Sequence, residues 1–262
     1  EQYGVRAEAV MGAKSHGVTV RFVRGEDKYL SRPHETTPFE HVYIFPNFTR
    51  DEGFYAGDYT FQSVGSIAIC SVIDPCRRLL DACAAPGGKS VLLAPRCDKI
   101  VASELHAHRV SLIEAYCSRM GAENVTPIQA DSRIFREEWE GAFDGVLCDV
   151  PCSGLGTVAE NPDLPLRKTE EDFRELQTTQ LAILNNCSRY VTGGGTLYYS
   201  TCSILKEEND CIIQAFLNTN QSFEPVRPQC ALPHETTKYG MQFLPDTAFG
   251  AGFYVCKLRK TV

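Results

Sequence analysis

Hydrophobic and polar positions follow one pattern near the start of the chain and another over the rest. Residues 18–23 alternate between apolar and polar side chains, which is typical of a half-buried strand. Residues 41–45 predict a second strand, because a Pro-Asn pair follows them. From these elements we expect residues 1–60 to form a small α+β lobe, and residues 61–262 to form a separate domain.

After the lobe, short apolar runs alternate with segments of helical periodicity. Strands are predicted at residues 77–81, 99–103, 124–129, 143–148, 196–200, 243–244 and 253–258. Helices are predicted at residues 105–120, 170–190 and 207–217. This alternation predicts an α/β fold with a mostly parallel, seven-stranded sheet that carries helices on both faces. In such a sheet, ligands bind at the carboxyl ends of the strands.

One pentapeptide, PHETT, occurs twice, at residues 33–37 and 233–237. The residues that flank the two copies differ, and a repeat architecture needs a sustained period. We therefore interpret the recurrence as a coincidence.

Composition narrows the class of protein. The chain has 262 residues, 43% of them hydrophobic and 23% charged, which are typical globular values. No apolar run approaches the roughly 18 residues that a transmembrane helix needs, and the N-terminal residues show no secretory signal pattern. Twelve cysteines in a chain of this size suit a reducing compartment. We expect a cytoplasmic monomer without a membrane partner, and the net charge of −7 argues against nucleic-acid binding by bulk charge.

A segment rich in glycine and small residues, DACAAPGGKS, follows the first strand of the predicted sheet at residues 81–90. Paired glycines let a ligand approach the backbone, and the start of the following helix offers unpaired N–H groups. A phosphate loop would need glycine at Cys83, and a dinucleotide fingerprint would need G-x-G-x-x-G spacing. A plain structural turn is a further alternative. The segment favours a nucleoside-type cofactor.

Acidic residues end or follow the next three strands. Glu104 follows the second strand, where a carboxylate commonly accepts hydrogen bonds from ribose hydroxyls. Asp131 follows the third strand and Asp149 ends the fourth. Any one of them alone could be a helix cap. Together they suit a cofactor with ribose, adenine amine and ammonium donors.

Two cysteines stand at neighbouring strand ends. Cys152 follows the fourth strand in the motif PCSG, and Cys202 follows the fifth in STCS. The chain contains no C-x-x-C pair, so the usual zinc spacing is missing and we expect no metal. A thiolate is a strong nucleophile that forms covalent intermediates. Most other cysteines are expected to be small buried side chains.

These motifs carry a family resemblance over about residues 57–260. The matching segments are DACAAPGGKS, SELHAHR, QADSR, CDVPCSGLG, YYSTCSILKEEN and GFYVCKL. In this order they resemble the Sun/NOL1/NOP2 family of RNA cytosine-5 methyltransferases. The form CDVPCSGLG is most similar to bacterial Sun/Fmu-type enzymes, which methylate small-subunit ribosomal RNA. The resemblance implies a class I S-adenosylmethionine-dependent methyltransferase domain with a Rossmann-like fold.

The resemblance also implies a role for each matching residue. Cys202 would be the nucleophile that adds to C6 of cytosine, and Cys152 would assist release of the methylated product. Asp149 would contact the cytosine ring, and it would need a proton to donate a hydrogen bond there. The residues expected to bind S-adenosylmethionine are Cys83, Ala84, Ala85, Pro86, Gly87, Gly88, Lys89, Glu104, Asp131 and Asp149. The implied reaction is methyl transfer to C5 of a cytosine in RNA, with 16S ribosomal RNA as the expected substrate.

Several alternatives stay open. The substrate could be transfer RNA, or the chain could be a non-catalytic, cofactor-binding and RNA-associated protein. A DNA cytosine-5 methyltransferase would need only the thiol of the Pro-Cys motif, and a small-molecule methyltransferase would need neither thiol. The presence of both Cys152 and Cys202 argues against these two classes.

RNA contacts are harder to predict than the cofactor site. Many relatives carry a basic stretch after PCSG; here Pro162 and Asp163 remain, but the arginines and the tryptophan of that stretch do not. The acidic charge leads us to expect the catalytic part of a longer RNA-binding protein. The basic residues proposed to contact RNA are Arg21, Arg24, Lys28, Arg32, Arg167 and Lys168.

Overall fold

The computed structural model describes residues 6–164 and 168–261, so Arg167 lies outside the described residues. Its helices are α1 (Ala7–Met11), α2 (Glu52–Tyr55), α3 (Val64–Ser71), α4 (Gly88–Leu93), α5 (Ala107–Met120), α6 (Glu170–Ser188) and α7 (Asp210–Thr219). Its strands are β1 (Val18–Phe22), β2 (Glu35–Thr36), β3 (Val42–Phe45), β4 (Tyr59–Phe61), β5 (Cys76–Asp81), β6 (Cys97–Glu104), β7 (Val125–Gln129), β8 (Phe143–Asp149), β9 (Val191–Thr201), β10 (Phe223–Val226), β11 (Glu235–Thr236), β12 (Gly240–Phe243) and β13 (Phe253–Lys260).

The first four strands form a sheet of their own, in the order β2-β3-β1-β4. β1 pairs antiparallel with both β3 and β4. Its inward side chains, Val20 and Phe22, pack in an aromatic cluster with Phe45, Phe48 and Tyr59. The strands predicted at residues 18–23 and 41–45 are therefore confirmed. β4 ends at Phe61, and the division into two domains after residue 60 stays a prediction.

The remaining strands form one nine-stranded sheet, in the order β11-β12-β13-β9-β8-β5-β6-β7, with β10 paired to β13. β5 to β9 run parallel, and β13 is antiparallel to β9. Leu79 and Leu80 alternate along β5 and enter two different clusters. One cluster includes side chains of α3, α4 and α5, and the other includes side chains of α6 and α7. The α/β fold with helices on both faces is confirmed.

Two details of the large sheet differ from the prediction. It has nine strands rather than seven, because β10 and the two-residue β11 are too short to show a periodic pattern. β9 also begins at Val191 and runs through three consecutive glycines, which the sequence favours for a turn. In addition, α3 is absent from the predicted elements. It is buried on nearly all sides, so it has no alternating polar face to reveal it.

The two PHETT segments adopt the same local structure. Glu35–Thr36 and Glu235–Thr236 each form a two-residue strand against the next strand of the chain. In each copy, the histidine Nδ1 lies 2.8 Å from the carbonyl oxygen two residues earlier. Each histidine ring also lies 5.6 Å from a phenylalanine ring, between centroids. The recurrence is thus a shared local structure, in two different sheets.

Among the helices in the described parts of the chain, none combines the length and apolar character needed to cross a membrane.

Candidate active site at the carboxyl ends of the parallel strands

The loop between β5 and α4 builds one side of a crevice above the parallel strands. The amide of Ala84 donates to the carbonyl oxygen of Ser103, at the end of β6, which ties the loop to the neighbouring strand. Gly87 has a φ of +106°, a conformation that L side chains rarely adopt. A Cβ there would also lie 3.3 Å from the Cα of Ile113 in α5. Glycine is therefore required where the loop turns into α4.

A cavity of about 350 Å³ opens beside this loop. Its lining includes seven of the predicted site residues: Cys83, Ala85, Glu104, Asp131, Asp149, Cys152 and Cys202. The structure therefore brings the acidic strand ends and the two cysteines to one cavity. Its volume falls within the roughly 300–1,000 Å³ typical of small-molecule and cofactor sites.

A second cavity, of about 160 Å³, shares Cys83, Ala85 and Asp149 with the first. Its lining also contains the predicted residues Ala84, Pro86, Gly88 and Lys89. Gly87 lines neither cavity and acts through the backbone turn. The residues expected to bind the cofactor are thus divided between two adjoining spaces.

The acidic residue that ends β6 and the one that follows β7 each pair with an arginine. The Glu104 side chain is 4% exposed; it accepts a hydrogen bond from the amide of His106 and lies 3.3 Å from Arg109. Asp131 lies 2.6 Å from Arg133. The hydrogen bonds from Arg133 lower the pKa of Asp131. Both residues line the cavity, and carboxylate oxygens are acceptors suited to the hydroxyl and amine donors of a nucleoside.

Asp149 is held by two donors. The Lys89 ammonium lies 2.6 Å from Oδ2, and the Ser200 hydroxyl donates to Oδ1 at 2.7 Å. Burial lowers the pKa of Lys89, but the charge and hydrogen bond of Asp149 outweigh burial and raise it. Both carboxylate oxygens of Asp149 thus contact donors, and the sequence did not reveal that Lys89 pairs with this residue. The expectation that Asp149 carries a proton stays a prediction.

The two cysteines of the PCSG and STCS motifs are in contact. Their Sγ atoms lie 2.9 Å apart, and the amide of Cys202 donates to the Cys152 sulfur at 3.2 Å. The hydrogen bond from the Cys152 thiol lowers the pKa of Cys202. The same hydrogen bond and burial raise the pKa of Cys152. Of the two thiols, Cys202 is therefore the one whose deprotonation the pairing favours.

Sequence reasoning missed several residues of this region. Arg109 and Ser200 lie inside the motifs SELHAHR and YYSTCSILKEEN, so the motifs contained them without indicating their contacts. Glu208, also in the second motif, is fully buried and bonded to the serines after both cysteines. Gln180 of α6 joins this network, and no local pattern in the sequence marks it. In the described part of the chain, no group of three or more metal-binding side chains is placed to hold an ion.

The basic residues proposed to contact RNA have different surroundings. Arg24 pairs with Asp58 at 2.6 Å, and the Arg32 guanidinium lies over the Tyr29 and Phe48 rings. Arg21 is partly buried, and its Nε has no hydrogen-bond partner among the described residues. Burial lowers the pKa of Arg21. RNA contact by Arg21, Arg24, Lys28, Arg32 and Lys168 stays a prediction.

A comparison with known protein families finds one whose model matches this chain. The family model described as 16S rRNA methyltransferase RsmB/F matches residues 73–259. The chain belongs to this family. The resemblance drawn from the motifs is confirmed, and membership of a methyltransferase family supports S-adenosylmethionine as the cofactor.

Curated relatives agree with the family. A Bacillus subtilis protein named "Probable ribosomal RNA small subunit methyltransferase B" is 35% identical over 218 residues, which cover 79% of this chain and 49% of that protein. Ribosomal RNA small subunit methyltransferase B of Klebsiella pneumoniae is 36% identical, with 79% and 48% covered. The chain thus spans about half the length of the curated relatives it matches.

Solved structures share the fold. The crystal structure of a protein named PH0851 has a TM-score of 0.90 and 28% identity, and the match covers 98% of this chain and 63% of that one. A methyltransferase homologue from Pyrococcus horikoshii has a TM-score of 0.80 and 23% identity, with 98% and 92% covered. The predicted methyltransferase fold is confirmed.

Proposed function

We propose that this chain transfers a methyl group from S-adenosylmethionine to C5 of a cytosine in RNA, with 16S ribosomal RNA as the substrate. One observation carries the proposal: the Cys152 and Cys202 thiols are in contact and line the same cavity as Glu104 and Asp149. Membership of the 16S rRNA methyltransferase RsmB/F family supports the substrate class.

The larger cavity fits the cofactor. Glu104 offers carboxylate oxygens to ribose hydroxyls, and Asp131 lies on the strand end expected to face the adenine. The loop that contains Cys83 and Ala85 approaches closely because its side chains are small. When bound, S-adenosylmethionine supplies an electrophilic methyl group on a sulfonium.

Cys202 carries the covalent step. Cytosine C5 is a poor nucleophile, so the Cys202 thiolate adds to C6 and turns C5 into an enamine-like carbon. C5 forms a bond to the methyl carbon, and the electron pair of the broken carbon–sulfur bond stays on the departing thioether sulfur. C5 then gives its proton to a solvent base, and the C–H electron pair restores the C5–C6 double bond and expels Cys202 from C6 as a thiolate. The neighbouring Cys152 assists this release, since its sulfur lies 2.9 Å from that of Cys202.

The Lys89–Asp149 ion pair faces the cytosine ring in this proposal. Both residues line the smaller cavity, and Asp149 lines the larger one too. Lys89 donates to one oxygen of Asp149 and Ser200 donates to the other, and these contacts orient the polar groups that meet the ring. The target base must leave its stack to reach this position.

The test is direct methyl transfer at low salt, because phosphate contacts weaken as salt rises. The chain is incubated with methyl-labelled S-adenosylmethionine and either 16S ribosomal RNA or a transfer RNA transcript, and modified positions are mapped by bisulfite sequencing. We expect 5-methylcytosine in the 16S RNA. Label on a base other than cytosine would refute the chemistry, and preferential labelling of transfer RNA would refute the substrate.

A further inference from the structure

A carboxylate without solvent exposure lies behind the two cysteines. The Oε1 atom of Glu208 accepts hydrogen bonds from the Ser153 amide at 2.8 Å and from Gln180 Nε2 at 3.0 Å. Its Oε2 atom accepts hydrogen bonds from the hydroxyls of Ser153 and Ser203, each at 2.5 Å. Four donors from three parts of the chain therefore meet on one carboxylate.

The serines that bind Glu208 each directly follow a cysteine of the site. Ser153 follows Cys152 after β8, and Ser203 follows Cys202 after β9. We propose that Glu208 is a positioning residue that clamps these two loops together and so sets the separation of the Cys152 and Cys202 sulfur atoms. This inference rests on the proposed function, in which both thiols act on the same cytosine.

A carboxylate at this buried position requires several hydrogen-bond donors around it. A buried ionised carboxylate is costly unless several donors satisfy it, and no cationic side chain is among the hydrogen-bond partners of Glu208 in the described chain. An ionised carboxylate accepts on both oxygens, so it can bind two hydroxyls, an amide N–H and a backbone N–H at once. A glutamine has the same shape but offers only one acceptor oxygen. One side chain therefore bridges both loops through its two oxygens.

Glu208 does not touch the substrate or cofactor spaces. It lines neither of the two cavities at the strand ends. Loss of the clamp should therefore lower kcat while leaving KM for the cofactor and RNA within about twofold. A misplacement of about 1 Å can cost about 100-fold in rate, so we expect a loss of that order for Glu208→Ala. Glu208→Gln keeps the shape and part of the hydrogen bonding, so it should retain more of kcat.

The matched control is Glu207→Gln. Glu207 is the adjacent residue and exposed, so its substitution removes one charge from the same segment without changing the clamp. A second variant, Ser153→Ala combined with Ser203→Ala, removes the two hydroxyl donors and leaves Glu208 in place. Thermal unfolding identifies which variants are folded, and kcat and KM are then compared among the folded ones.

The rate of disulfide formation reports the separation of the two thiols independently of methylation. Diamide oxidises two neighbouring thiols to a disulfide: each thiol gives up one proton and one electron, and the diazene is reduced to a hydrazine. The rate for Cys152–Cys202 is followed by mass spectrometry of the peptides. The Cys76–Cys97 pair, with Sγ atoms 3.5 Å apart, is the internal reference in the same molecule.

We expect Glu208→Gln and the double serine variant to slow formation of the Cys152–Cys202 disulfide and to lower kcat, with the Cys76–Cys97 rate unchanged. Unchanged kcat and unchanged disulfide rates in both folded variants would overturn the clamp. If the unmodified chain methylates no RNA, the proposed function fails, while the disulfide rates still test the clamp.

Discussion

Two pairs of cysteines lie at opposite ends of the same sheet. Cys76 and Cys97 are register partners at the starts of β5 and β6, with Sγ atoms 3.5 Å apart. Cys152 and Cys202 follow the ends of β8 and β9, with Sγ atoms 2.9 Å apart. In each pair, the thiol–thiol hydrogen bond lowers the pKa of one member and raises that of the other.

The difference between the pairs lies in their surroundings. Cys152 and Cys202 both line the cavity that contains Glu104 and Asp149. A cavity of similar size, about 330 Å³, lies at the opposite end of the sheet, but its lining includes Cys76 without Cys97 and none of the predicted site residues. Proximity and a lowered pKa are therefore common to both pairs, and it is their surroundings that distinguish them. Cys152 and Cys202 lie at the carboxyl ends of parallel strands, where ligands bind in sheets of this kind.

The largest expected effect comes from replacing, in each pair in turn, the cysteine whose pKa is lowered. If the proposed mechanism holds, Cys202→Ala should reduce methylation by on the order of 10⁴-fold or more, because it removes the nucleophile assigned to the bond with C6. It should also abolish the covalent adduct with RNA that contains 5-fluorocytidine. Cys97→Ala, the matched variant in the other pair, should retain methylation. Activity in Cys202→Ala would show that the nucleophile is misassigned.

The second comparison removes the partner thiol. Cys152→Ala leaves the proposed nucleophile in place but removes the thiol proposed to assist release, so the covalent protein–RNA species should accumulate. Denaturing gels of the chain with labelled RNA would show this species as a slow band. Cys76→Ala should give no such band. If Cys152→Ala turns over at the normal rate without an accumulated species, Cys152 has no role in release.

The smallest expected effect is a change in the pH dependence of thiol alkylation, and it is expected in both pairs. The Cys76 hydrogen bond lowers the pKa of Cys97 to about 7, so Cys76→Ala should raise it toward the ordinary value of a thiol. Cys152→Ala should likewise raise the pKa of Cys202. In both variants, the pH at which iodoacetamide alkylates the remaining thiol should move upward, because less thiolate is present at neutral pH. An unchanged pH profile in either variant would show that the hydrogen bond does not control that thiol.

Much of the fold followed from local patterns. The strands that end near Asp81, Glu104 and Asp149 were predicted because apolar runs there are bounded by glycine, proline or acidic residues. The two PHETT segments show that local sequence can determine local structure. In two different sheets, the same five residues form the same short strand and make the same histidine contact. In contrast, α3 and the glycine-containing part of β9 were missed. α3 is too buried to show a polar face, and sheet pairing overrides the local preference of the glycines in β9.

The candidate site was predictable in its residue types and less so in its contacts. The motifs identified Lys89, Asp149, Cys152 and Cys202, but they did not show that Lys89 pairs with Asp149. The contribution of Gln180 could not be predicted, because α6 brings it to Pro151 and Glu208 from a distant part of the chain.

The amino-acid sequence by itself determined the alternation of strands and helices, the small residues of the loop after β5, and the thiols and carboxylates at the strand ends. These features depend on short-range periodicity and on residue chemistry. Only the tertiary structure decided which groups meet: Cys152 with Cys202, Lys89 with Asp149, and Glu208 with the serines of both loops. The physical reason is that β5, β8 and β9 become neighbours through long-range pairing, and that pairing sets side-chain distances that local sequence does not determine.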